Sequence, residues 1–448
     1  MTWTRRALAL LLAFGLVAAA CGNDDDEAGD IGTAPAPTAA EEAPAPAGEE
    51  DMADDGADDA DSGMADDGDA DADDGADDTD SDADGGMADD GDSDADSGMA
   101  DETSGCAENG LTDPSDMSSD RVIARCEPGY PVPQPLAERQ TVRLANRFRA
   151  EFVAPILLAE HYGLFEEENI EVEWVELSLT DSMVPLDNCD VDFAVGGTEA
   201  SFHNGVAQGL DVRMVVGNFF PPDAGDASIA QTGLWVRRDV FSDPQNPDIT
   251  ELQGARVASA VGLGSVIVYP MAQAFADAGF SLLDLEFERI PSSEMLIALE
   301  NNAVQGAWLL DPYWIDASEN PDDYVLMVTQ TPGEPLGGLY AGPCVRTGDR
   351  REAGEAFVRA YIRAINTYLP PDYQDNAEVM EALVEQTGAP LESLERTPGL
   401  YFDWEIRDTT SQNAQGFFIE FETVEYEEVL PDDQVIDRSL YEAAVTGG

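Results

Sequence analysis

Two glycine-rich turns, a pair of arginines and one aromatic run hold the residues of this chain best suited to chemistry. Gly262-x-Gly264-Ser265 falls between an expected strand and an expected helix. A helix start leaves its first amides unbonded and carries partial positive charge, so these N–H groups and the Ser265 hydroxyl can face an anionic group. The same residues equally make a tight strand-to-helix turn with Ser265 as N-cap. Gly196-Gly197-Thr198, with Glu199 and Ser201 just beyond, offers the same geometry and the same two readings. Arg147 and Arg149 can neutralise an anion, or they can be surface arginines paired to Glu151. Asp311, Tyr313 and Trp314 can hold a polar group and a flat ligand face, although Trp314, like Trp308, also suits a core. Asn218 completes the set of ligand-binding candidates.

Nothing in the chain is equipped for turnover. Its two histidines, His161 and His203, read as a helix-end residue and a structural residue. There is no nucleophile elbow, phosphate-binding loop or metal-ligand spacing, so no catalytic residue, metal or cofactor is expected. Five cysteines are present. Cys21 has a separate use, described next, and Cys106, Cys126, Cys189 and Cys344 remain. An even number in an oxidising compartment allows three connectivities, of which Cys106–Cys126 with Cys189–Cys344 is preferred.

Residues 1–21 read as an export signal: Arg5 and Arg6 precede a short apolar run, and Ala18-Ala19-Ala20 leads into Cys21. Small residues before a cysteine look like a bacterial lipobox, in which Cys21 is lipidated and becomes the mature N-terminus. Thr4-Arg5-Arg6 also resembles a twin-arginine signal. Residues 22–105 carry 33 acidic residues and no basic one. Built from Asp, Ala, Gly, Ser and Pro, this stretch cannot bury enough apolar surface to offset its ordering entropy, and it is expected to be a disordered acidic linker. As a coil its 84 residues would reach on the order of 50 Å. Asp80-x-Asp82-x-Asp84-Gly85 matches the start of a calcium loop, but the twelfth position is Gly91 and not a bidentate acid. A solvated polyanionic spacer is the expected reading.

The formal net charge is −72, and every one of the 21 basic residues is arginine. From residue 106 onward 60 acidic residues face 19 arginines, a balance of −41. That balance excludes a nucleic-acid partner, because phosphate contacts need a basic face. It fits adaptation to a salty exterior that screens self-repulsion.

The elements that must position the candidates begin near residue 139. Strands are expected over 141–145, 170–176, 191–195, 212–216, 234–237, 256–261, 285–290 and 307–310. Helices are expected over 152–162, 199–208, 266–278 and 294–301, several closed by glycine. Repeated strand–helix–strand units imply mainly parallel sheets flanked by helices, hence an α/β fold of two lobes. Phe357, Tyr361, Ile365 and Tyr368 recur at helical spacing and should pack on the first lobe. In such sheets ligands bind beyond the carboxyl ends of strands, where 146–151, 196–201, 262–265 and 311–314 fall.

Four phrases resemble the periplasmic binding proteins for aliphatic sulfonates, taurine, nitrate and thiamine-pyrimidine precursors. They are Pro155-Ile-Leu-Leu-Ala-Glu-His-Tyr-Gly-Leu-Phe165, Cys189-Asp-Val-Asp-Phe-Ala-Val-Gly-Gly197, Glu251-Leu-Gln-Gly-Ala-Arg-Val-Ala258 running into Gly262-Leu-Gly-Ser265, and Gln305-Gly-Ala-Trp-Leu-Leu-Asp-Pro-Tyr-Trp314. The resemblance covers roughly residues 140–345 and implies a two-lobed periplasmic-binding-protein fold, with two crossing strands as hinge near 213–237 and 326–346. The implied organisation is an N-terminal extension at 106–138, lobe 1 at 139–236, lobe 2 at 237–335, and a return to lobe 1 at 336–448. The implied role is capture of a small organic solute for an ABC permease and its ATPase subunit, by a monomer lipid-anchored outside the cytoplasmic membrane. A ligand sensor of the same fold and an envelope enzyme are the alternatives. Sulfonate binders of this type carry consecutive serines after the glycine, whereas Val266 and Ile267 follow Ser265 here. The aromatic content of the site suits a heterocycle or larger organic acid as well as a sulfonate.

Overall fold

The computed structural model describes Cys106, residues 111–223 and residues 231–447. The export signal with Cys21, the acidic linker and its 80–91 window lie outside the described residues.

Alternating apolar residues make the first strands. β1 (Gln140–Ala145) buries Val142, Leu144 and Ala145, and β2 (Ile170–Val175) alternates Ile, Val and Trp with glutamates. The chain continues through β3 (Phe193–Gly197), β4 (Arg213–Gly217), β5 (Phe219–Phe220) and β6 (Gly233–Arg237). Then follow β7 (Arg256–Ser259), β8 (Glu286–Arg289), β9 (Gly306–Leu309), β10 (Tyr324–Thr329), β11 (Gly337–Ala341) and β12 (Tyr401–Phe402). One five-stranded sheet has the order β2-β1-β3-β11-β4 and the other β10-β6-β9-β7-β8, while β12 pairs with β5. In each sheet four strands run one way and a single strand opposes them, β11 in the first and β6 in the second. Those two strands are the ones arriving from the other lobe.

Helices cover the sheets where the sequence supplies apolar faces. In Ala154–His161 six successive residues from Ala154 to Ala159 are buried, Pro155 opens the first turn, and Gly163 at φ 72° breaks the helix. It lies against the long helix Arg351–Tyr368, whose Phe357 ring stacks on Phe193 and Phe165 with centroids 4.6 and 5.2 Å away. Burying such a ring contributes roughly 1.5–3 kcal/mol. The same helix buries Arg359 and Arg363, both satisfied by the fully buried Glu168, with Arg359 Nη2 2.8 Å from Oε2. A charge so enclosed needs its partner.

The strand over 191–195 is displaced to Phe193–Gly197, because Cys189 adopts a left-handed φ of 62° and the turn it makes runs on to Asp192. Pro291 precedes the helix Ser292–Glu300, which starts two residues ahead of the expected span. The second sheet already includes Gly233, a few residues ahead of the expected lobe boundary. Most of the C-terminal segment packs on the first core, but the helix Thr410–Glu420 joins the second, where Phe417, Phe418 and Phe421 meet Met271, Phe275 and Trp308.

Two segments cross between the sheets, β4/β5 to β6 and β10 to β11, and they hold each other. Gly333 N–H donates to the Pro221 carbonyl at 2.9 Å and Leu336 N–H to Phe219 at 3.1 Å. Arg121 of the N-terminal extension lies 3.6 Å from the Phe220 ring centroid and donates to the Gly333 carbonyl at 2.6 Å. Disulfides join Cys106 to Cys126 and Cys189 to Cys344.

Candidate functional site

The carboxyl ends of the strands from both sheets converge on one cleft. After β1, the Asn146 amide donates to the Val195 carbonyl at 3.0 Å and its oxygen accepts the Phe148 N–H. This Asx turn commits Asn146 to the scaffold and leaves Arg147 half exposed, 3.9 Å from Asp181. Arg149 takes a different course. Its guanidinium lies over the Trp174 ring at 4.5 Å and donates to Glu160 at 3.2 Å and Gln386 at 3.4 Å, which fixes it on the flank of lobe 1. Neither arginine pairs with Glu151.

The two glycine-rich turns do meet, directly. Ala200 N–H donates to the Gly264 carbonyl at 2.8 Å and Val266 N–H to the Thr198 carbonyl at 3.2 Å, a short antiparallel bridge across the lobes. Amides that could have faced an anion are used in this seam. Ser265 is buried and its hydroxyl caps the following turn through Ile267 N–H. Gly197 sits in register with Gly337, and Thr198 N–H donates to Leu336. At the edge of the seam Glu199 accepts from Thr180 at 3.2 Å and Ser201 at 3.3 Å. Burial raises its pKa, against the pull of those hydroxyls and of Arg289 and Arg147. His203, fully buried, has Nδ1 3.0 Å from the Glu199 carbonyl and Nε2 3.0 Å from Ser411 Oγ, so it belongs to the framework.

Away from the seam two carboxylates, one from each lobe, stand near enough for one to feel the other's charge. Glu151 comes from lobe 1, just before the helix Ala154–His161. It accepts from the Tyr373 hydroxyl and, at 3.4 Å, from Thr397. Its pKa is pushed up to about 7, first by burial and then by the charge of Asp311, with the Tyr373 and Thr397 bonds acting the other way. Asp311 follows β9 of lobe 2 and accepts from Trp314 Nε1 at 2.5 Å. Asp311 is exposed to water, yet the protein packed around it raises its pKa. Trp314 itself is buried in the lobe-2 core, whereas Tyr313 is 39% exposed. Thr232, 4% exposed, stands beside Asp311 and its hydroxyl favours the ionised form of that carboxylate. Asn218 is spent on structure, donating to the Phe152 carbonyl and accepting from Tyr361, both at 2.9 Å. A cavity of about 340 Å³ is lined by Pro222, Thr397, Pro398 and Tyr401 among others.

Glu151, Tyr373, Thr397 and Thr232 were not among the sequence candidates. Glu151 had a signal, an acid at a strand's carboxyl end, which the neighbouring arginines disguised as a counter-ion. Tyr373 and Thr397 lie 222 and 246 residues from Glu151, beyond any local pattern.

The fold is similar to that of solved solute-binding proteins. The alkanesulfonate-binding protein SsuA of Xanthomonas axonopodis pv. citri, solved with MOPS, matches with a TM-score of 0.50 at 17% identity, over 67% of this chain and 99% of that one. The ligand-binding component of an ABC-type import system from Staphylococcus aureus, solved with zinc, matches with a TM-score of 0.54 at 13% identity, over 68% and 99%. This chain has the periplasmic-binding-protein fold. No protein-family model matches the chain, and no curated protein matches it in sequence. Among the described residues no group of His, Cys, Asp and Glu is arranged to hold a metal ion, and no helix is long and apolar enough to cross a membrane.

Proposed function

We propose that this chain is the solute-capturing component of an ABC importer, tethered outside the cytoplasmic membrane by a lipid on Cys21 and delivering its ligand to a permease with an ATPase subunit. The observation that carries this is that loops after strands of the two lobes meet, those after β3 and β7 across the Glu199–Ser265 bridge, so that both lobes can contribute contacts to one molecule. A ligand that bridges the lobes favours the closed state by its differential affinity for it. Binding without turnover fits the groups present: His203 is locked into the framework, and Glu151 and Asp311 are held by the Tyr373 hydroxyl and the Trp314 indole N–H. The organic sulfonate bound by the Xanthomonas neighbour supports a small organic solute as ligand.

A thermal-shift screen of the full chain against sulfonates, taurine, nitrate, pyrimidines and flavins, followed by an interlobe distance measured between two spin labels, tests this. One compound class should raise the melting temperature and shorten the distance, and the compound should be recovered unchanged. Conversion to product would overturn the reading, as would tight binding without any change in interlobe distance.

A further inference from the structure

We propose that residues 111–126 act as a strap across the hinge that limits how far the two lobes can part. The inference goes beyond the importer reading and holds whichever solute is bound. Parting two lobes asks the segments that join them to change dihedrals and to shift past each other. Here the two crossing segments, one through Phe220 and the other through Gly333, are bonded to each other and also to a stretch of chain that belongs to neither.

The strap is pinned at both ends to the C-terminal part of the chain. At its start Thr112 N–H donates to Glu405 Oε1 at 3.0 Å, and Asp408 N–H donates to the Pro114 carbonyl at 2.8 Å. Arg407 adds bonds to the Thr112 hydroxyl at 2.9 Å and to the Asp113 carbonyl at 3.0 Å. At its end Cys126 N–H donates to Asn366 Oδ1 at 3.0 Å, and the Cys106–Cys126 bond closes the loop. Between these anchors Arg121 reaches both crossings at once. Its guanidinium lies against the Phe220 ring of one and donates through Nη1 to the Gly333 carbonyl of the other, while Nε stands 3.5 Å from Asp403. Its side chain is wholly enclosed, and a charge so placed must keep its partners, so it resists any movement that separates them. The backbones also touch. A Cβ on Gly333 would lie 2.8 Å from Ser119 Cα, so glycine is what lets the strap seat this closely on the second crossing.

The test uses the full chain without ligand, spin-labelled through Glu173→Cys and Glu288→Cys, exposed positions on the edge strands β2 and β8 of the two sheets. Arg121→Met keeps the side chain's length and removes its donations, and Asp403 retains Arg407 at 2.7 Å. In this variant the interlobe distance distribution should broaden toward longer distances. Loss of a charged hydrogen bond should also speed amide exchange at Gly333 and Leu336 by at least about tenfold, with the amides of β1 and β7 unchanged. An unaltered distribution, or exchange that speeds equally in β1 and β7, overturns the strap. If the variant does not fold, exchange in the wild-type chain decides. The Arg121 amide, which donates to the Ser118 carbonyl, should then open together with those of Gly333 and Leu336. An Arg121 amide exchanging at least about tenfold faster than these two would show a strap that frays while the hinge stays intact, and would overturn the proposal. The importer reading is tested by closure on a bound compound, so either can fail without the other.

Discussion

His203 lies between a backbone carbonyl and the Ser411 hydroxyl, and burial pushes its pKa down from 6.5 to about 4. Between those values the unfolded chain binds the proton and the folded chain does not, so stability is lost as pH falls through that window. Glu151 works the other way. Its folded pKa of about 7 stands above the ordinary 4.5, so the folded state holds the proton in between and stability is lost as pH rises from 4.5 to 7. The two slopes oppose each other across most of the same range. Removing one should therefore unmask the other. Urea melts of His203→Gln should show stability falling as pH rises from 4.5 to 6.5, and those of Glu151→Gln should show it rising. The divergence between the variants should be about 1–3 kcal/mol across the window. Parallel profiles for the two variants would mean that these residues do not titrate as described.

At the scale of elements, the sequence placed strands and helices well because their signals are local. The expected strand at 256–261 became Arg256–Ser259, and Gly163, Gly209 and Gly279 stop their helices at positive φ where a side chain would be strained. The site was legible only as segments. Both glycine-rich turns lie at strand ends facing the other lobe, as their position predicts. That they would bond to each other is a tertiary fact, since a free amide at a helix start has the same sequence whether it meets a ligand or a carbonyl. Arg149 illustrates the same limit: proximity in sequence favoured Glu151, but the Trp174 face and Glu160 compete for it and win. The long-range disulfide is similar. Cys189 precedes β3 and Cys344 follows β11, and those strands are neighbours in the first sheet although the cysteines are 155 residues apart. Closing so long a loop constrains the unfolded chain, so Cys189→Ser with Cys344→Ser should lower stability by about 2–4 kcal/mol. A loss below about 1 kcal/mol in equilibrium denaturation would show that the native packing around the bond, not chain entropy, dominates.

For the molecule as a whole, charge and hinge set the behaviour. The −41 balance from residue 106 onward makes the folded part repel itself. Screening should relieve this, raising the melting temperature by several degrees between about 0.1 and 1 M salt, equally in sodium and potassium chloride. A flat or falling melting temperature would show that the arginine ion pairs already offset the repulsion. The helix Thr410–Glu420 sets the other term. It touches lobe 1 through Ser411 at His203 and through Phe418, whose ring is 5.7 Å from that of His203, and lobe 2 through Phe417, whose ring meets that of Tyr269 at 5.5 Å. Parting the lobes would wet these phenylalanines at about 25 cal/mol for each Å² exposed. Shared apolar contact of this kind lowers the cost of closure that a bound solute must meet, without shutting the lobes on its own. A receptor helped shut in this way gives up less affinity to the closing step, and part of the cost moves to the opposite half of the cycle. On the importer reading, prising the jaws open to let the cargo go would then be work done by the ATP-driven machinery in the membrane.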